Sequence, residues 1–183
     1  MISVLAVALG AMVLLCAGAS AHAPAYSPAE LAPGEACPGQ TAAGLSPAEQ
    51  VTAMLCMTNY ARAANGLPKL TLSRRLVRSA EHKTADILGC DEFSHEACHR
   101  PFTFWDRHFG YLKGCWKVGE NIARGTGSFA GVRAIFNAWL ESPEHHANIL
   151  GPYRQVGIGV RVGDLEGSEG AVVWTQDFGS HRC

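Results

Sequence analysis

Imidazole and carboxylate side chains are concentrated in three short segments of this chain: Phe93-Ser94-His95, Gly119-Glu120-Asn121-Ile122, and Ser142 to Leu150 with Glu144, His145 and His146. Two neutral imidazoles and a carboxylate are the ligand set of many open zinc sites, where water completes the coordination shell. The same groups also form hydrogen-bonded clusters that pin loops together without an ion, and spacing alone does not separate these readings. A literal H-E-x-x-H stands at His95-Glu96-Ala97-Cys98-His99. In zinc proteases that motif lies inside a helix, so both imidazoles project from one face. Here no apolar helical stripe precedes it, Pro101 follows closely, and Cys98 is expected in a disulfide. The motif is therefore read as a chance match.

Other candidates have simpler accounts. Gly125-Thr126-Gly127-Ser128 precedes a helical pattern but lacks the lysine of a phosphate-binding loop. Gly157 and Gly159 fall within a strand pattern, where close backbone packing explains them. Ser142 lacks the G-x-S-x-G setting of a nucleophile elbow and reads as a helix cap before Pro143. Trp105, Trp116, Trp139 and Trp174 are assigned to the core.

The elements that must position these groups are legible in outline. Ser46-Pro47-Ala48-Glu49 is a capping box, with Val51, Met54, Leu55 and Thr58 on one face of the helix that follows and a stop at Asn65-Gly66. A second helix follows Ser73, with Leu76, Ala80, Thr84 and Ile87 at helical spacing and an end at Gly89. Pro101 opens a short helix closing at Gly110. Ser128 is the expected cap of a helix carrying Val132, Ile135, Phe136, Trp139 and Leu140. Strands are expected at 116–123, 156–162 and 173–178, the last two joined as a hairpin through the Gly- and acid-rich 164–170. Helices followed by a β-rich end, without regular alternation, indicate an α+β layered sandwich.

The 183 residues carry a net charge of −1 with 48% apolar side chains, which suits one globular domain and excludes a disordered chain. Lys and Arg are scattered, so no basic stripe points to nucleic acid. Residues 1–23 read as a signal peptide: an apolar run from Val4 to Cys16, then small-x-small cleavage patterns at 19–21 and 21–23. An uncleaved anchor and a lipoprotein cysteine at Cys16 are the rival readings of that run. Residues 24–45 are rich in Pro, Gly and Ala and read as an arm, and 46–183 as the domain. The expected protein is secreted, with no stable membrane insertion of the mature chain.

Outside the leader stand Cys37, Cys56, Cys90, Cys98, Cys115 and Cys183. An even set in an exported chain favours three disulfides, each contributing about 2–4 kcal/mol. Six cysteines allow fifteen pairings; the expected one is Cys90–Cys98, Cys37–Cys56 and Cys115–Cys183. No C-x-x-C pair supports a cysteine zinc site.

Taken in order, Asn59-Tyr60-Ala61-Arg62, Gly66 to Leu70, Phe93-Ser94-His95, Gly110-Tyr111, Gly119 to Ala123, Trp139, Ser142 to Leu150, Gly157-Ile158-Gly159 and Trp174 to Gly179 resemble the CAP superfamily of cysteine-rich secretory, antigen 5 and pathogenesis-related class one proteins, in its bacterial secreted branch. The resemblance implies a three-layer α-β-α sandwich and a cavity where His and Glu face each other and a divalent metal such as zinc can bind. His95, Glu120 and His145 match that cavity. Many eukaryotic relatives carry a further glutamate where this chain has Ser142, flanked by Glu141 and Glu144. Relatives are linked to lipid or sterol binding, defence, signalling and, in a few cases, proteolysis. The leading expectation is a non-enzymatic module for a small molecule, lipid or extracellular protein, with a metal-assisted hydrolase and a purely structural polar cluster as alternatives.

Overall fold

A computed structural model describes residues 26–181. The expected signal peptide and Cys183 lie outside the described residues. Helix α1 (Pro47–Ala64) starts on the expected capping box: the Ser46 hydroxyl accepts from Glu49 N at 3.4 Å, and Glu49 Oε2 accepts from Ser46 N at 2.8 Å. It ends where Gly66 takes a φ of +66°, a conformation in which glycine lacks the Cβ penalty. A two-residue strand β1 (Thr71–Leu72) and helix α2 (Arg74–Gly89) follow, then the short α3 (Phe104–His108), strand β2 (Lys117–Gly125), α4 (Val132–Glu141), α5 (Pro143–Ile149), β3 (Gln155–Leu165) and β4 (Ser168–Ser180).

The strands form one mixed sheet in the order β1-β3-β4-β2, parallel only between β1 and β3. β3 and β4 are joined by Glu166 and Gly167 alone, at φ +48° and +77°, the two positive values of a tight hairpin turn. Strand alternation separates the two faces. Val156, Ile158, Trp174 and Phe178 pack into one core with Met54 and Met57 of α1 and Phe136 and Trp139 of α4. Val173 and Ile122 join Ile87 of α2 in a second core. The sheet thus lies between α1, α4 and α5 on one side and α2 on the other, a three-layer α-β-α arrangement within the α+β class.

α2 sits very close to β3. A Cβ built on Gly157 would stand 2.0 Å from the Leu76 carbonyl carbon, and one on Gly159 would stand 2.5 Å from that of Ala80. Close packing is therefore why both positions are glycine.

Several local expectations are corrected. α4 is preceded by Gly131 as its cap, because Gly127–Phe129 forms a separate 3-10 turn that absorbs Ser128. The helix expected from Pro101 begins only at Phe104. Trp139 and Trp174 are core, whereas Trp116 is 43% exposed and Trp105 is only partly covered. Cys37–Cys56 and Cys90–Cys98 are bonded as expected, and Cys115 is disulfide-bonded as well.

The Pro/Gly/Ala-rich stretch is held against the helices. Tyr26 OH donates to Asn137 Oδ1 at 2.6 Å, Arg133 donates to the Ala32 carbonyl at 2.6 Å, and His146 pairs with the buried Glu30. Among the described residues no helix is long and apolar enough to cross a membrane.

Candidate functional site

The site forms where β2, at the sheet edge, meets the loop after α2 and the start of α5. Glu120 enters from β2, and its backbone is fixed from the α5 side. Asn148 Nδ2 donates to the Glu120 carbonyl at 3.1 Å and to Asn121 Oδ1 at 3.0 Å, while Asn121 Nδ2 donates to the His145 carbonyl at 3.1 Å. Gly119 is required by the same closeness, since a Cβ there would stand 2.4 Å from the Tyr153 hydroxyl and 2.9 Å from Asn148 Oδ1. His95 arrives from the other side, its carbonyl accepting from the buried Lys83 Nζ of α2.

His95 Nδ1 lies 2.7 Å from Glu120 Oε1, and the two side chains are 49% and 3% exposed. The Glu120 carboxylate accepts, which assigns a ring proton to Nδ1 and leaves Nε2 as the nitrogen that offers a lone pair whenever the ring is neutral. Nε2 has no hydrogen-bond partner among the described residues. Glu120 Oε2 is buried and also without one. His145 is half-buried; burial first, then the neighbouring His95 ring, push its pKa below the ordinary value, against the pull of Glu144. The depression favours the neutral ring, the form that can ligate or accept. His95 and Glu120 are in direct contact, and His145 is near enough to feel His95.

Behind Glu120 lies an acidic group that the sequence reading missed. Asp177 stands opposite Glu120 in the β2–β4 register, and Asp106 reaches the same space from α3. Both are buried, and each carries an oxygen without a hydrogen-bond partner, Asp106 Oδ1 and Asp177 Oδ2. Burial lifts Asp106 to about 6, with the Glu120 charge adding to the rise and the Ser79 hydroxyl and Lys83 opposing it. Burial, then Glu120 and Asp106, hold the Asp177 carboxyl well above the usual range. Of the buried Lys83, Asp177 and Asp106, the first two had a signal in the sequence: Lys83 lies seven residues after Leu76 on the apolar stripe of α2, and Asp177 continues the inward alternation of Val173 and Thr175. Asp106 sits alone in an aromatic run and gave none.

The flanking glutamates take other places. Glu141 Oε1 accepts from Asn137 Nδ2 at 2.8 Å, and Glu144 is exposed. Ser142 links α4 to α5 and makes no side-chain capping bond. The H-E-x-x-H segment is no helix: Ala97–His99 is a 3-10 turn, with Cys98 and His99 at φ +61° and +56°. Among the described residues no three His, Cys, Asp or Glu side chains are gathered as an ion-holding group.

Residues 55–178 match the family model described as "CAP: Cysteine-rich secretory protein family". This chain is a CAP protein. It is 31% identical over 126 residues to the uncharacterized protein YkwD of Bacillus subtilis (strain 168), a match covering 67% of this chain and 44% of that protein. Two solved structures share the CAP chain's fold. An extracellular protein containing an SCP domain from Bacillus anthracis str. Ames is 21% identical, with a TM-score of 0.57, over 75% of this chain and 44% of that one. An outer surface protein of Borrelia burgdorferi is 15% identical, with a TM-score of 0.61, over 75% of this chain and 97% of that one. The CAP chain thus spans less than half the length of YkwD and of the Bacillus anthracis protein.

Proposed function

We propose that this chain is a secreted, non-enzymatic binding module whose polar site takes a divalent cation such as zinc and presents it to an extracellular small molecule or protein partner. The observation that carries this reading is the His95–Glu120 pair. A half-exposed imidazole with a free Nε2 stands on a buried carboxylate whose second oxygen is unpaired. His145, whose pKa is depressed beside them, adds a second imidazole donor, and Glu120, bonded to Nδ1, fixes the tautomer that leaves His95 Nε2 for the ion. The three side chains are not pregathered around an ion, so capture would draw them together, at a cost in affinity. Secretion is supported by the leader-like N-terminus, the disulfides and the extracellular and outer-surface descriptions of similar structures.

The non-enzymatic part is tested by turnover. Purified protein, with and without zinc and with chelator, is expected to leave peptide and ester substrates intact. Turnover that chelator suppresses and His145→Ala removes would instead establish a metal-assisted hydrolase.

A further inference from the structure

We infer that a second site, outside the His95–Glu120 region, binds a phosphate ester through Arg74, Arg75 and Arg78. The start of α2 borders a cavity of about 760 Å³ lined by these three arginines with Ser73, Tyr111 and His181, within the range of small-molecule sites. The charge arrangement is unfavourable for the helix by itself. The first turn of α2 holds no acidic residue, although the positive end of a helix favours anions and repels cations. Arg74 and Arg78 are four apart and Arg75 and Arg78 three apart, spacings at which like charges oppose helix formation.

Among the described residues none of the three arginines takes part in an ion pair or a side-chain hydrogen bond. Arg78 instead rests on the Phe109 ring, its guanidinium carbon 4.1 Å from the centroid. That contact orders the group and leaves its N–H donors unused. His181 Nε2 donates to the Tyr111 carbonyl at 2.7 Å while its ring packs on the Tyr111 ring at 4.4 Å, so Nδ1 remains for a ligand.

Three unspent guanidinium forks around one concavity suit a dianion with several acceptor oxygens, which phosphate offers and a carboxylate does not. Leu72, 45% exposed on the same wall, gives the organic part of the ester an apolar contact. The inference is independent of the proposed metal site, because none of these residues belongs to it.

The test titrates the full chain with phenyl phosphate at low salt, in parallel with phosphatidylcholine vesicles containing phosphatidic acid. Arg74→Gln/Arg75→Gln is compared with Arg161→Gln, an exposed arginine of β3 outside this cavity. The expected result is saturable binding weakened about tenfold or more by the double substitution and unchanged by Arg161→Gln. The double variant is expected to melt no lower than the parent, since repulsion is relieved. Binding of phenyl phosphate assigns the site to soluble esters; binding of vesicles alone, through the same arginines, assigns it to a lipid headgroup. Binding of neither probe, or binding weakened equally by Arg161→Gln, overturns the inference.

Discussion

Asp106, Asp177 and Glu120 share a buried space in which Lys83 is the nearby ammonium. Desolvated carboxylates next to one another resist ionisation, and that resistance makes folding sensitive to pH. Asp106 titrates near its ordinary 3.8 when unfolded and at about 6 when folded. The native state therefore holds more protons between those values, so this residue's contribution to stability is present in acid and is lost as pH rises through about 6. Asp106→Asn keeps the shape and removes the titration. It is expected to raise stability at pH 7 on the order of 1–2 kcal/mol and to flatten the dependence between pH 4 and 6, read from urea unfolding across that range. A loss of stability at pH 7 would contradict the account. His145 acts in the opposite sense: its pKa is depressed from 6.5, so its contribution is present above that value and lost on acidification. In the Asp106→Asn protein the remaining acid-side decline should shrink when His145→Ala is added.

At the level of elements, the helix-to-sheet spacing is set by missing side chains. Gly157→Ala would place a methyl group against the Leu76 carbonyl, where backbone cannot yield cheaply. It is expected to cost about 1–3 kcal/mol or more, measured by thermal melting against Gly167→Asn, which sits in the hairpin turn with nothing within 4 Å. Much of this layer was legible beforehand. The Ser46 box, the stripe of α2 and the alternation of β3 each encode their own geometry locally. What was not legible depended on tertiary surroundings. β4 runs to Ser180 through Thr175, Gln176 and Asp177, polar residues that blur the alternation yet are buried because α1, α2 and β2 cover them. Gln176 Nε2, for example, donates to Thr58 Oγ1 of α1 at 2.9 Å. The site was readable in the same partial way. His95, Glu120 and His145 were found through their motifs, whereas the Asp106 and Asp177 carboxyls gain meaning only once α3 and β4 bring them to Glu120.

For the whole molecule, the stretch before α1 acts as a strap. Cys37–Cys56 fastens it to α1, with a Cα separation of 5.6 Å. Gln40 Nε2 donates to the Pro33 carbonyl at 2.7 Å, and Tyr26 reaches α4 at Asn137. Cys37→Ser/Cys56→Ser is expected to lower stability by about 2–4 kcal/mol and to raise proteolytic cutting within 26–45; equal stability would show the strap to be passive. Such a strapped, disulfide-closed sandwich gives the polar site a rigid frame from two sides of one sheet edge. The most direct check on that site is calorimetric titration with zinc of the wild-type chain, His95→Ala and His145→Ala at neutral and mildly acidic pH. One-site binding that weakens in acid, because both imidazoles must be neutral, and that disappears in each variant is the predicted result. Equal binding in all three proteins, or no binding heat in the wild-type chain, would contradict it.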